Sequence, residues 1–420
     1  MNRKIFSWCL FDFAGSAYSA IIAAVIFPVY YTDVIVGNAS GHGDIWWGRA
    51  ISLSMAIVAI SSPFLGGIAD YTKIRKKLLF AYTFLCIAPV AALYFLRKGM
   101  AVEGFMLIVL ANLGKEGGLV FYNSFLPEIA GTEYQGRVSS WGYAIGYAGS
   151  ISSLLLALVL IDKGFLTASW PMSALFFLLF SLPAFAFLPP DVRSTVRLSA
   201  AAREGLRYSL SALKKIWANR EQKKLLIAYL IYADGVNTVI VFSSIFAATT
   251  LHFGPRELIL VFLTVQFTAL AGAFLFAKPT DVWGPKRVVV LSLYLWTIVS
   301  VASFFVTAKI LFFVIASAAG LGLGTVQAAT RAFYAGFIPE GRESEYFGVY
   351  SLMGKTSAIA GPILFGYISS TFGSQRPAVL SVSAFFITGL LIVRTVKGGG
   401  PNVKSPFPCG DQKIEKMKIW

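Results

Sequence analysis

Long apolar runs, separated by short polar breaks, recur from one end of the 420-residue chain to the other. A helix needs roughly 20 apolar residues to cross a hydrocarbon core of about 30 Å, and the runs approach or exceed that length. The pattern predicts an all-α integral membrane protein with twelve transmembrane helices. The predicted spans are 7–32, 46–69, 78–96, 104–126, 137–161, 171–188, 225–250, 258–277, 287–307, 310–337, 346–370 and 377–396.

Composition and the position of the charges agree with this interpretation. Hydrophobic residues make up 57% of the chain and charged residues only 13%, a balance that a soluble domain cannot bury. The net charge of +16 resides in the N-terminus, the 71–77 loop, the 189–224 segment and the C-terminal tail. With an even number of spans these segments lie on one side of the membrane, as the positive-inside rule requires of the cytoplasm. We therefore expect a multi-pass protein of the plasma (inner) membrane with both termini cytoplasmic, in contact with lipids and not with nucleic acid.

Two separated segments repeat at nearly the same offset. Ten of 25 positions are identical between "FLPEIAGTEYQGRVSSWGYAIGYAG" (125–149) and "FIPEGRESEYFGVYSLMGKTSAIAG" (337–361), 212 residues apart. "DYTKIRKK" and "DVWGPKRV", which begin at Asp70 and Asp281, are 211 apart. A duplicated six-helix unit, one of the architectures of secondary transporters, explains both. We predict an N-terminal half (1–188), a basic cytoplasmic linker with an amphipathic helix (189–224), a C-terminal half (225–397) and a flexible tail (398–420).

Two six-helix halves, a basic linker and an aspartate–basic loop after helix 2 resemble the major facilitator superfamily. The loop motif of that superfamily is matched by Gly66, Asp70, Arg75 and Lys76, and more weakly in the second copy by Asp281, Lys286 and Arg287. The resemblance implies two pseudo-symmetric bundles in the major facilitator fold. It also implies that these loop residues act in conformational switching, because an aspartate at a helix N-terminus forms a contact that exists in only one state.

Four segments are more specific. They are "WCLFDFAGSAYSAIIAAVIFPVYY" (8–31), "FYNSFLPEIA" (121–130), "YADGVNT" (232–238) and "FIPEGRESEYFGVYSLMGKTSAIAGPILFG" (337–366). Together they resemble the autophagy-related vacuolar amino-acid effluxer family and its bacterial relatives. The resemblance implies a secondary active transporter that moves an amino acid or a similar small polar solute by rocker-switch alternating access.

Ionisable side chains inside predicted spans are the candidate functional residues. Each costs about 2.5–3.5 kcal/mol at mid-membrane unless it meets a partner, a solute or a water-filled cavity. Asp12 and Arg331 either form a gate pair or are hydrated from inside, and the others either handle solute and protons or lock helices together. The predicted solute and proton pathway consists of Asp12, Ser16, Lys115, Glu116, Asn123, Asp234, Asn237, Gln327, Arg331 and Lys355.

The charges among these residues balance, three acidic against three basic. Such a set suits a zwitterion, or a neutral solute coupled to a proton, and leaves the coupling ion open. No nucleotide-binding motif is present and no helix carries a histidine, so we expect neither an enzyme nor a cofactor. Scattered cysteines and histidines predict no metal site. We expect a monomer, and the alternatives are a carrier for another small solute or drug and a non-transporting receptor or scaffold.

Overall fold

The computed structural model describes residues 2–37, 42–191, 198–358, 360–372 and 374–398, and its elements are helical throughout that part of the chain. Twelve long rods run back and forth across one layer. They are α1 (Arg3–Ala17, continued as a π-helix over Tyr18–Val25 and by Phe27–Val29 and Tyr30–Val36), α2 (His42–Thr72), α3 (Arg75–Ala92), α4 (Ala101–Ser124), α5 (Gln135–Asp162), α6 (Ser169–Phe187), α7 (Arg220–Thr250), α8 (Pro255–Leu275), α9 (Pro285–Phe305), α10 (Lys309–Ala335), α11 (Glu343–Thr356 and Ala360–Phe372) and α12 (Gln375–Thr395).

Ten of these rods are long and apolar enough to cross a membrane by themselves. The other two are α8, in which the apolar run among the described residues is Leu260–Leu275, and α11, which is broken between Thr356 and Ala360. Large apolar side chains face outward on many helices, for example Ile60 on α2 and Ile298 on α9, as lipid-facing helices require. The twelve predicted helices are therefore present, and the eleventh is interrupted within its predicted span, 346–370.

Both ends of the described chain lie on the same side of the layer, because an even number of crossings separates the start of α1 from the end of α12. We call this side the basic face and the other the opposite face. The packing repeats: α1 contacts α6 as α7 contacts α12, α3 contacts α4 as α9 contacts α10, and α2 contacts α4 as α8 contacts α10. The first six helices and the last six therefore have the same internal arrangement. They meet through α2 against α11 and through α5 against α8 and α10.

The linker helix, Leu198–Ala218, lies on the basic face and packs against α2. A Cβ atom added at Gly205 would lie within 3 Å of the backbone of Ile68, so the two helices are in close contact. Ala212 and Ile216 are buried, while Leu210 and Trp217 remain exposed and available to a membrane surface. The predicted amphipathic helix is thus present, and it covers protein as well as presenting apolar side chains outward. The predicted tail beyond Gly398 lies outside the described residues.

Two short helices and two 3₁₀ turns complete the loops on the two faces. Leu126–Ile129 follows α4, Ala277–Val282 follows α8, and short 3₁₀ turns at Leu93–Phe95 and Leu166–Ala168 lie at the opposite face. Gly284 precedes α9 with a φ of 86°, in the left-handed region that favours glycine, and Pro285 occupies the first helical position, where its missing N–H costs nothing.

Candidate solute site between the two six-helix bundles

A polar cavity of about 400 Å³ lies between the first six helices and the last six. Its walls come from α1, α4 and α5 on one side and mainly from α7, α10 and α11 on the other. Nine of the ten side chains predicted for the solute and proton pathway line it. They are Asp12, Ser16, Lys115, Glu116, Asn123, Asn237, Gln327, Arg331 and Lys355.

Asp234 is the exception, because it does not line the cavity. Its carboxylate accepts a hydrogen bond of 2.9 Å from the backbone N–H of Gly361, at the start of the second segment of α11. A helix start has backbone N–H groups without intrahelical partners, and a carboxylate satisfies them. One turn further along α7, Asn237 donates to the Ser357 hydroxyl at 3.1 Å. In this structure Asp234 therefore holds the broken helix to α7, and it is not placed to meet a solute.

Arg331 forms the floor of the cavity and joins the two bundles. Its guanidinium donates to the Ser139 hydroxyl at 2.8 Å, to the Ser139 carbonyl at 2.6 Å and to the Asn123 side-chain oxygen at 3.2 Å. It also lies over the rings of Tyr143 and Trp8, 4.1 Å and 4.8 Å from their centroids. A planar cation suits this combination of forked hydrogen bonds and stacking. The arginine is only 2% exposed, so it closes the cavity toward the basic face.

The structure does not form the predicted gate pair between Asp12 and Arg331. The Arg331 guanidinium donates its hydrogen bonds to Ser139 and Asn123. Within the described residues no cation lies within ion-pair distance of the Asp12 carboxylate. Asp12 instead faces Gly146, where a Cβ atom would lie 3.2 Å from the carboxylate. The pairing was plausible because both residues lie near the same ends of their helices, but spacing along two helices does not determine which partner a side chain reaches.

Lys115 is a second charge in the cavity that has no ion-pair partner among the described residues. Its ammonium packs against Gly15 of α1, where a Cβ atom would lie only 2.9 Å away. The neighbouring glycines serve packing, since a Cβ at Gly114 would lie 2.3 Å from the backbone nitrogen of Cys86 on α3. The segment Gly114–Gly118 therefore brings α4 close to α3 and presents Lys115 to the cavity.

Glu116, the next residue, forms an ion pair with Lys355 of α11. This contact joins the first bundle to the second across the cavity. The side chains of Glu116 and Lys355 keep 15% and 20% of their surface exposed, so the cavity reaches both. The cavity therefore contains one bundle-to-bundle ion pair, one carboxylate and one ammonium without ion-pair partners, and the floor arginine.

Tyrosines form much of the remaining wall and were not identified from the sequence. Tyr143 and Tyr147 lie one turn apart on α5, and Tyr229 and Tyr232 lie three residues apart on α7. The Tyr147 hydroxyl donates to the Gln327 side-chain oxygen at 2.7 Å, a second polar contact between the bundles. Helical spacing of tyrosines inside apolar spans was the available signal, because a buried hydroxyl needs a partner.

A family description of "Vacuole effluxer Atg22 like" matches residues 49–398, well over half of the chain. The chain belongs to this Atg22-like family. It is a transporter of the major facilitator superfamily, not an enzyme, and the predicted resemblance is confirmed.

Two relatives illustrate how far the similarity of this Atg22-like transporter extends. It is 26% identical over 409 residues to the uncharacterized MFS-type transporter YxiO of Bacillus subtilis, covering 93% of this chain and 94% of the relative. It is 26% identical over 295 residues to Autophagy-related protein 22-1 of Neosartorya fischeri, covering 63% of this chain. The match spans 48% of that fungal protein, about half of its length.

Solved structures share the fold at low sequence identity. The FucP transporter in its outward conformation superposes with a TM-score of 0.72 and 15% identity, covering 94% of this chain and 98% of FucP. The proton:xylose symporter XylE gives a TM-score of 0.71 and 13% identity, covering 94% and 97% of the two chains. The Atg22-like chain therefore has the major facilitator fold.

The predicted switch residues of the Atg22-like transporter lie where the bundles meet on the basic face. Asp70, at the end of α2, accepts hydrogen bonds from the backbone N–H groups of Ser344 and Glu345 at 3.2 Å and 2.9 Å, in the first turn of α11. Gly66 permits this approach, since a Cβ there would lie 2.3 Å from the carbonyl oxygen of Ser344. Arg75 extends the contact by pairing with Glu343 at 3.3 Å.

The second copy of the motif makes the equivalent contact with α5. Asp281 accepts from the backbone N–H of Arg137 at 2.9 Å, and the Arg137 side chain lies 3.2 Å from the other carboxylate oxygen. Burial raises the pKa of Asp281 to about 6, although Arg137 opposes the rise. Both aspartates thus cap helices of the opposite bundle, which agrees with a contact made in one conformational state.

The basic residues of the two loops make different contacts from the aspartates. Lys76 donates to the carbonyl of Leu188 at the end of α6, and Lys286 donates to the carbonyl of Arg394 at the end of α12, both at 2.8 Å. These contacts stay within one bundle, so Lys76 and Lys286 do not bridge the bundles. Lys286 is therefore the counterpart of Lys76 and not of Arg75, because the second loop is one residue shorter. Arg287 is exposed on the basic face.

Toward the opposite face the cavity adjoins a larger, mostly apolar space of about 780 Å³, which we call the vestibule. The vestibule continues along α7, α8 and α10 to side chains such as Phe246, Leu258 and Phe312. The residues shared by the two spaces mark the neck between them: Ser19, Tyr147, Ser150, Gln266 and Gln327. The bundles are thus joined at the basic face, and the vestibule lies on the other side of the cavity.

Proposed function

We propose that this chain is a secondary active transporter for a small zwitterionic solute, most simply an amino acid, that works by alternating access. The observation that supports it best is the pair Asp12 and Lys115, an anion and a cation that line one cavity without ion-pair partners among the described residues. Ionised groups inside a membrane protein are costly unless they meet water or a complementary charge. A zwitterion offers both complementary charges at once.

In this proposal the solute's carboxylate binds the Lys115 ammonium and its ammonium binds the Asp12 carboxylate. The walls supply further donors and acceptors, including the Tyr143 hydroxyl and the Asn237 and Gln266 amides. A cavity of about 400 Å³ suits a small solute with several waters and is at the small end of ordinary ligand pockets. The four sequence segments that resemble the autophagy-related vacuolar amino-acid effluxer family also favour an amino acid.

The proposed orientation places the basic face in the cytoplasm, because the basic loops lie on that face and the positive-inside rule applies to such short loops. The described state would then be open outward. We further propose a plasma-membrane location and a monomeric carrier whose coupling ion, if one is used, is a proton.

The test is transport by the purified full-length chain in liposomes, with radiolabelled standard amino acids screened with and without a pH gradient. We expect saturable uptake that falls at least tenfold in Asp12→Asn and in Lys115→Gln. Asp33→Asn, a change on the same helix at an exposed site, and Lys98→Gln, in the exposed loop before α4, are the matched controls and should transport normally. Absence of uptake of every amino acid by the wild type would contradict the proposal.

A further inference from the structure

The Glu116–Lys355 ion pair has a position that the proposed binding of a zwitterion by Asp12 and Lys115 does not explain. Three ion pairs among the described residues join the two bundles. Arg75–Glu343 and Arg137–Asp281 lie on the basic face, and only Glu116–Lys355 lies in the cavity. A contact between the bundles that also borders the solute space can respond to what the cavity contains.

Lys355 lies at the end of the first segment of α11, and that segment is attached to the first bundle at both ends. At its start Asp70 caps the backbone of Ser344 and Glu345. Along its length it packs on α2, where a Cβ at Gly348 would lie 2.5 Å from the carbonyl oxygen of Ser62. At its end Lys355 pairs with Glu116 of α4.

The second segment of α11, Ala360–Phe372, is attached to its own bundle instead. Asp234 of α7 accepts from the backbone N–H of Gly361, and a Cβ at Gly361 would lie 1.9 Å from the Thr238 hydroxyl. The break between Thr356 and Ala360 therefore separates a part of α11 that contacts both bundles, since its Tyr350 also stacks on Tyr229 of α7, from a part that is held by its own bundle. Opening of the basic face requires the first segment to leave α2 and α4.

We propose that the Glu116–Lys355 pair is a positioning contact that holds the first segment of α11 in the closed state until a solute replaces it. The proposal rests on the zwitterion site described above. A solute carboxylate bound to Lys115 is a second anion beside Glu116, and it competes with Glu116 for the Lys355 ammonium. A ligand shifts a two-state equilibrium only by binding the two states differently, and this competition supplies that difference.

Charge removal tests the contact in the absence of solute. In Glu116→Gln the Lys355 ammonium is left uncompensated in the closed state, a situation that is strongly unfavourable for a buried charge. Opening of the basic face relieves it by admitting water. In the double variant Glu116→Gln/Lys355→Gln neither member of the pair remains as a charge without its partner. The other contacts on the basic face then keep that face closed, and it no longer responds to a solute.

The measurement is the distance between spin labels at Lys77→Cys and Arg287→Cys, exposed sites on the basic face in different bundles. The background carries Cys409→Ser, and Cys9 and Cys86 are fully buried and do not label. We expect the long-distance fraction of the wild type to rise at least threefold when a mixture of the standard amino acids is added. Glu116→Gln should show the raised long-distance fraction without solute. The double variant should show the short distance both with and without the amino acids.

Lys309→Gln is the matched control, because it removes a lysine–glutamate pair with Glu257 that stays within the second bundle. It should behave as the wild type. A Glu116→Gln protein that transports amino acids and keeps the short distance without solute would overturn this inference and leave the proposed function standing. A wild type that transports no amino acid would instead overturn the proposed function, which the liposome screen decides separately.

Discussion

Arg331 is the residue whose surroundings most directly describe the closed state. It belongs to the second bundle, but its hydrogen bonds and ring contacts are made with Ser139, Asn123, Tyr143 and Trp8 of the first. The position of Arg331 on α10 does not predict these partners, because they come from three other helices. Helical spacing predicted that Arg331 faces inward, and only the packing of α4 and α5 determines what it meets.

Arg331→Lys tests this floor. Lysine keeps the charge but cannot donate to both atoms of Ser139 or stack between two rings, and each hydrogen bond to a charged group contributes about 1.5–3 kcal/mol. We expect the closed state to be weakened, with a lower melting temperature and a larger long-distance fraction between labels at Lys77 and Arg287. Arg97→Lys, an exposed arginine whose acceptors Tyr94 and Leu96 are local, should change neither. An Arg331→Lys protein indistinguishable from this control would contradict the assigned role.

At the scale of elements, the twelve helices could be predicted from the sequence. The lipid interior offers no hydrogen-bond partners, so each crossing must be a long apolar helix that pairs its own backbone N–H and C=O groups. The break in α11 was not predicted. The reason is that a broken helix in a membrane needs partners for its freed N–H groups. Here the partner is Asp234, 127 residues earlier in the chain, and a single sequence does not show that pairing.

The contact of α2 with α11 can be tested by adding a single methyl group. In Gly66→Ala the new Cβ would lie 2.3 Å from the carbonyl oxygen of Ser344, and this neighbour is backbone that cannot rotate away. Overpacking of this kind costs about 1–3 kcal/mol, here in the closed state only. We expect a shift toward the open basic face, measured by the same label pair. Gly48→Ala, on the same helix with nothing within 4 Å, is the control, and an equal shift in both variants would contradict the assigned contact.

At the scale of the whole molecule, the two bundles are joined by two contacts of the same kind that differ in where the arginine pairs. Each contact has an aspartate cap and a close glycine, Gly66 or Gly136. Arg75 follows the capping aspartate Asp70 and pairs with Glu343, whereas Arg137 belongs to the capped helix and pairs with the capping aspartate Asp281 itself. The repeat in the sequence predicted two equivalent loops. It could not predict that the arginine of the second contact comes from α5 of the other bundle, because duplication copies positions and not partners.

The Asp281 contact predicts a pH dependence with a definite sign. Its pKa is about 6 in the closed state, and an exposed aspartate in the open state has a value near 3.9. The state with the higher pKa binds the proton more readily, so lowering the pH from about 7 to 4 should increase the closed fraction. In Asp281→Asn this increase should be smaller. An increase of the same size in that variant, with the Lys77 and Arg287 labels, would assign the effect to other groups.

The central claim is that one cavity binds both charges of a zwitterion through Asp12 and Lys115. Competition by analogues of the best transported amino acid tests it in proteoliposomes, using the methyl ester, which lacks the carboxylate, and the N-acetyl derivative, which lacks the ammonium. For the wild type, both analogues should compete at least tenfold more weakly than the amino acid. Lys115→Gln should lose the discrimination against the ester only, and Asp12→Asn the discrimination against the N-acetyl derivative only. Equal competition by all three compounds for the wild type, or identical patterns in the two variants, would contradict it.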